Sequence, residues 1–344
     1  MNVEFTPEQL ALRDSVRSLL TAQAAPAMLR QLWATDTGRS PRLWHLLAEV
    51  GVPAIGVPEE FGGAGGDELD LELVLEETGR AALPDAILES CLLAPYLIAT
   101  SAAPEVRERW LPRMAAGSAR VTVALGDRAV APDVHVSDAV LIERAGELIL
   151  VETADLDAEA VRSMDPSRRL FRIRPRPGAG VPLPAPDLAG ARARGLAGSA
   201  AILTGVAARL VALTVDYALV RTQFGRPIGS FQGVKHQLAQ AASMNALARH
   251  ATVAATDKIV RGTADHADAA ALAHLCAAEA EAESNRVALQ VHGGVGFTWE
   301  HDLQIWLKYG KTFELAYGSK RDIAALCGAA ALGDRADRDM SRTI

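Results

Sequence analysis

RTQFGRPIGSFQ, residues 221–232, is the stretch on which the reading of this chain turns. Upstream of it, Leu203, Ala207, Leu210, Thr214 and Tyr217 recur at spacings of four and three, the stripe of one continuous helix ending on Arg221. Gly225 and Pro227 break that helix, and a second is expected from Phe231 through Ala248. An arginine at a helix end, beside Phe224 and the amides of Gln223 and Gln232, suits a phosphate-bearing aromatic ligand. It offers charge-assisted bonds to phosphate, stacking for a ring and amides for its edges. The same residues also make an ordinary helix C-cap, where the macrodipole favours arginine. Taken alone, the stretch favours the ordinary cap.

Downstream lies QVHGGVGFTWE, residues 290–300. Its paired glycines let the backbone approach another chain or a ligand closely, and Thr298 with Glu300 could open the next helix. His292 by itself reads as a packing residue rather than a base. This stretch stops a third, Ala-rich helix expected from His266 to about Val291. Two more helices follow, from about His301 through Phe313 and after Gly318.

Working back toward the N-terminus, the period changes twice. Residues 139–143 and 147–152 read as strands joined at Ala145-Gly146, Val121, Val123 and Leu125 alternate with small residues, and Leu170, Arg172 and Arg174 mark another short strand. Prolines 175, 177, 182, 184 and 186 exclude a helix and predict an extended surface run. Before residue 118 the pattern is helical. Thr6, Pro7 and Gln9 form a capping box that starts a helix at Thr6, with Phe5 and Leu10 placed for a hydrophobic staple. The glycine-rich loop 62–66 follows no strand and lacks a lysine, so it reads as a connection before a helix that stops near Gly79 or Pro84. The expected organisation is mainly α: a helical domain over residues 1–119, a reduced β domain over 120–190 and a helical bundle over 191–344. No internal repeat is present.

Composition agrees with a packed chain of two or three units. It has 344 residues, a hydrophobic fraction of 49% and only 5% aromatics, so the core must be mostly Ala, Leu and Val. A net charge of −7 argues against nucleic acid as the main partner. Cys91, Cys276 and Cys327 show no metal-ligand spacing and read as buried thiols in a reducing cytosol. No signal peptide is evident. The uncharged stretches 91–103 and 195–208 fall short of the roughly 20 residues that cross a bilayer. The expectation is a soluble, cytoplasmic protein with no metal site.

The two motifs, in this order and spacing, resemble the C-terminal domain of the acyl-CoA dehydrogenase family, and PEEFGGAGG with EETGR resembles its N-terminal domain. The likeness covers nearly the whole chain and implies an N-terminal helical domain, a middle β domain and a C-terminal four-helix bundle. It implies a flavoprotein that oxidises an acyl-CoA to its 2,3-enoyl form. A Glu would remove the α-proton while the β-hydride passes to FAD, and an electron-transfer flavoprotein would reoxidise the cofactor. In the family's oligomers both motifs contact the FAD of a neighbouring subunit. By that resemblance Arg221 would bind the pyrophosphate, and Phe224 and Gln232 would line the adenine and ribose side, with Gln223 in the same motif. Gln290, Gly293 and Gly294 would close over the cofactor.

The departures are equally informative. Family members place the catalytic Glu at either of two positions, which here correspond to Tyr317 and Gly195, and tyrosine is a poor base at neutral pH. Glu314, one turn before Tyr317, would share its face if the helix continued; it reads better as a solvated or interface charge. Glu300 and Asp302 match residues the family uses structurally. After the first β strand, Gly126 to Pro132 replaces the hydroxyl-bearing loop that contacts the flavin in full-length members. The chain therefore resembles the partner subunit of actinobacterial heterotetrameric acyl-CoA dehydrogenases, some acting on steroid side-chain CoA thioesters. Two other readings stand beside it: a homo-oligomeric enzyme with a displaced base such as Glu314, and a flavin-free scaffold.

Overall fold

The structure, a computed structural model, describes residues 3–126 and 128–331. Six helices come first: α1 (Pro7–Gln23), α2 (Pro26–Trp33), α3 (Pro41–Glu49), α4 (Glu68–Ala81), α5 (Ala94–Ser101) and α6 (Pro104–Ala115). Proline at the first position opens α1, α2, α3 and α6, and Thr6 with Gln9 makes the expected capping box. A π-helical turn over Leu88–Leu93 leads straight into α5. The amides of Ala64, Gly65 and Gly66 are spent on the carbonyls of Ala54, Val57 and Ile55, so the glycine loop is a folded connection.

The β region forms two small sheets. Strands β1 (Val121–Ala124), β2 (Val130–Pro132), β3 (Ala139–Arg144), β4 (Glu147–Glu152), β5 (Leu156–Val161), β6 (Leu170–Pro175) and β7 (Val181–Leu183) pair in the orders β1-β3-β4-β7 and β2-β6-β5. The turn joining β3 to β4 has φ +53° at Ala145 and +81° at Gly146, the positive values a two-residue hairpin needs. Sequence patterning missed β2, β5 and β7. β2 and β7 are three residues each, β5 carries charged residues on an exposed ribbon, and β7 brings Pro182 onto a sheet edge where no amide is required.

Three long helices follow, α7 (Leu188–Val220), α8 (Gln232–Val260) and α9 (His266–His292), then α10 (Leu303–Glu314) and α11 (Lys320–Ala331). Between α7 and α8 a ribbon pairs β8 (Thr222–Gln223) with β9 (Arg226–Pro227). Helix α8 runs a further three turns past the expected Ala248, because nothing before Gly262 breaks it and Thr252, Val253, Thr256 and Ile259 are buried. The expectation that every apolar stretch is too short for a bilayer is corrected for α7: its 33 residues are long and apolar enough by length and composition. They are apolar for another reason, since most of that stretch is buried in the fold. The cysteine reading is also corrected: Cys91 is buried, but Cys276 and Cys327 are half-buried, and all three are free.

Helices α4 and α7 cross with their backbones almost touching. A Cβ at Gly79 would strike the Ile202 carbonyl and one at Gly205 the Glu76 carbonyl, so both positions require glycine for this approach. Nine consecutive residues of α4, Leu71 to Gly79, are buried, including Glu72, Glu76 and Glu77. Burial pushes the Glu72 carboxyl up to about 8, opposed by Thr256 and Arg249 and reinforced by Glu76. A carboxyl whose folded pKa lies above its unfolded value contributes stability at low pH and loses it as pH rises toward that value. Urea unfolding of Glu72→Gln should therefore show less loss of stability than the parent between pH 5 and pH 8; identical pH slopes would contradict this.

Candidate functional site

Arg221, the C-cap of α7, leaves the helix in an extended conformation, and the chain turns back on itself through Phe224 (φ +53°) and Gly225 (φ +79°). The Ile228 amide donates to the Arg221 carbonyl at 2.8 Å, which closes the ribbon. Its side chains face outward. Phe224 is 93% exposed, its ring set edge-on to Phe231 at 6.2 Å, and Arg226 lies over the Phe231 ring at 4.2 Å. Arg221, Gln223 and Gln232 are exposed as well.

The second motif is brought to the same end of the bundle by aromatic packing. Tyr217, one turn before Arg221, stacks on His292 at 4.3 Å, and His292 meets His301 edge-on at 4.9 Å. The buried His292 donor-acceptor pair is anchored by Nδ1 on the Ala288 carbonyl at 2.8 Å, in keeping with a packing role. After it, Gly293 takes φ +62°, and a Cβ at Gly293 or Gly294 would meet nothing within 4 Å, so the turn presents open backbone beside the exposed Gln290. The rest of the motif is clamped from α2. Arg30 donates to the carbonyls of Trp299 (2.7 Å) and Glu300 (3.0 Å) and to the Asp302 carboxylate (2.7 Å), while Lys308 sits over the Trp299 ring at 3.9 Å.

Gly195 and Tyr317, the two positions where the family resemblance implies a catalytic Glu, meet each other. A Cβ on Gly195 would lie 2.5–3.0 Å from the Tyr317 ring, so the buried phenol occupies the space a side chain at 195 would need. The Tyr317 hydroxyl donates to Glu89 at 3.5 Å. Burial first, then the Glu89 charge, pushes Tyr317 well above its ordinary value of 10, so it stays protonated. Glu314 is not on that face: α10 ends at Glu314, and its carboxylate pairs with Lys311. The condition for a shared face, that the helix continue to Tyr317, is not met.

Around Tyr317 the structure places buried charge that no periodic signal along the chain marks. Glu89, on the π-helical turn, pairs with Arg168, whose guanidinium lies over Phe313 at 5.0 Å. Arg39 pairs with Asp133, and Arg120 with Asp85 at 3.1 Å. At the end of β1 the Gly126 amide donates to Glu143 at 2.7 Å, and Glu143 is itself paired with the buried Arg192. The Gly126 amide is thus engaged within the chain. Only the Glu89–Arg168 and Glu143–Arg192 juxtapositions of distant segments reveal this, since each partner alone resembles an ordinary surface charge.

The sequence matches the N-terminal domain of acyl-CoA dehydrogenase over residues 6–118 and its C-terminal domain over residues 192–327. It is 39% identical over 314 residues to the acyl-CoA dehydrogenase IpdE2 of Mycobacterium tuberculosis, covering 88% of this chain and 90% of that protein. Among solved structures, the Tcur3481-Tcur3483 steroid ACAD superposes with a TM-score of 0.89 at 26% identity, covering 95% of this chain and 98% of that one. The ChsE4-ChsE5 complex from Mycobacterium tuberculosis gives 0.87 at 25%, covering 97% and 99%.

Proposed function

The chain belongs to the acyl-CoA dehydrogenase family, and from that premise we propose that it is the subunit without a catalytic Glu in a two-subunit acyl-CoA dehydrogenase. The observation that carries this reading is the contact of Tyr317 with Gly195. Where a carboxylate would have to accept an α-proton there is a packed, protonated phenol, and the nearest carboxylate, Glu89, is committed to Arg168. This chain's own contribution is to bind and orient a partner's cofactor.

The residues at the bundle end fit FAD. Arg221 offers an exposed guanidinium fork for a pyrophosphate, Phe224 an exposed ring face, Gln223, Gln232 and Gln290 amides for polar edges, and Gly293 and Gly294 open backbone for close approach. Exposed Leu219, Val220, Phe297 and Trp299 add an apolar fringe of the kind a protein partner covers. When bound, FAD supplies the hydride acceptor for 2,3-dehydrogenation of an acyl-CoA thioester. The likeness to the Tcur3481-Tcur3483 steroid ACAD supports a steroid CoA thioester as substrate, and the likeness to the ChsE4-ChsE5 complex supports an assembly of two homologous subunits, for which we take the heterotetramer as the form and an electron-transfer flavoprotein as the oxidant.

Purifying the chain alone and together with a co-encoded homologue tests this. The lone chain is expected to be colourless and inactive, and the complex yellow and active; full flavin loading and turnover by the lone chain would overturn the proposal. Nothing favours Glu314 as a displaced base, since Lys311 holds it.

A further inference from the structure

A cavity of about 180 Å³ opens between α1, α4, α7 and α10, walled by Arg17, Arg80, Arg209 and Trp306 with Glu77 as its one acid. It is separate from the two regions already described. Arg209 stands 12 residues before Arg221 and 14 after Gly195 on α7, which at 1.5 Å per residue is about 18 Å from one and about 21 Å from the other. The acid is already spent. Arg17 forks onto Glu77, with Nε to Oε2 at 3.0 Å and Nη2 to Oε1 at 2.6 Å.

The other two arginines are left under-compensated. Arg80 comes no closer than 3.6 Å to Glu77 and 3.7 Å to Glu76, and its buried Nε has no hydrogen-bond partner. Glu76 is bound instead by Arg249 at 2.7 Å. Arg209 lies over the Trp306 ring at 5.1 Å and makes no salt bridge among the described residues. Burial holds its pKa below the ordinary value, opposed by the charges of Asp216 and Asp302 and reinforced by that of Arg80. Three cations, Arg17, Arg80 and Arg209, thus line the cavity against one acid, Glu77, around a space large enough for a ligand group. Partly buried cations without partners are costly, and a guanidinium fork is the geometry that takes up a planar or tetrahedral oxyanion bidentately.

We propose that this cavity binds the oxyanion group, phosphate or carboxylate, of a small molecule, held by Arg209 and Arg80. The site does not depend on the FAD reading, because none of its residues lies in the 221–232 or 290–300 stretches whose side chains carry that reading.

Calorimetric titration of the full chain at low ionic strength, with pyrophosphate in one arm and succinate in the other, tests it. The expected result is saturable 1:1 binding of at least one of them, weakened tenfold or more by Arg209→Met, which keeps the apolar stem on Trp306, and also by Arg80→Gln. Binding of pyrophosphate alone assigns a phosphate ligand and of succinate alone a carboxylate. Arg172→Met, on the exposed face of β6, should bind as the parent does. Absence of saturable binding in both arms, or equal loss in Arg172→Met, would overturn the assignment. Emission of Trp306, isolated by comparison with Trp306→Phe, should shift on titration if the ligand sits where proposed.

Discussion

Arg221→Ala is expected to raise the FAD dissociation constant of the two-subunit complex by about 10–100-fold. A hydrogen bond to a charged group contributes about 1.5–3 kcal/mol, and each 1.4 kcal/mol is tenfold in affinity. The side chain makes no ion pair among the described residues and is exposed, so its loss leaves the fold intact and the effect is confined to the ligand. Arg221→Lys should recover only part, because an ammonium lacks the two-pronged fork. Retained flavin after desalting, read from its visible absorbance, measures both variants, with circular dichroism as the control on folding. Unchanged flavin retention in Arg221→Ala would remove this residue from the cofactor's surroundings.

Arg168→Ala should destabilise the chain by about 3–5 kcal/mol, the cost of leaving a buried carboxylate without its partner. Arg168 and Glu89 are 6% and 4% exposed, so the pair is shielded from solvent that could take the place of the guanidinium. Glu89→Gln should cost less than Arg168→Ala, because the amide can still accept from Arg168 and from Tyr317. The double variant Arg168→Met/Glu89→Met should be more stable than Arg168→Ala, since removing both charges also removes the desolvation cost of each. Urea denaturation at constant pH gives these differences. A loss under 1 kcal/mol in Arg168→Ala would show that water reaches the pair.

Much of the fold is legible along the chain because its signals are local. The Thr6–Gln9 capping box with Pro7 at the first helical position and the Ala145-Gly146 turn each depend on residues within four positions of one another, and the structure has both. The elements that escaped are those whose stability is borrowed. β5 is mostly exposed and polar, and it is a strand because β6 pairs with it over six residues. The far half of α8 lacks strong apolar periodicity in sequence, and it is helical because its small side chains pack into the bundle.

The same division holds for the site. The arginine–glutamine stretch and the paired glycines carry their meaning in spacing and residue type, so the sequence by itself determined the family likeness, the cap on α7 and the absence of a carboxylate at positions 195 and 317. It did not reveal that those two positions touch, that Tyr217 and His292 hold the two motifs to one end of the bundle, or that Glu89 and Arg168 fill the space beside Tyr317. Only the tertiary structure decided these points, because they join residues from 75 to more than 120 positions apart. A local pattern reports what one segment can bury or present; which group meets it there depends on how separate helices and sheets pack.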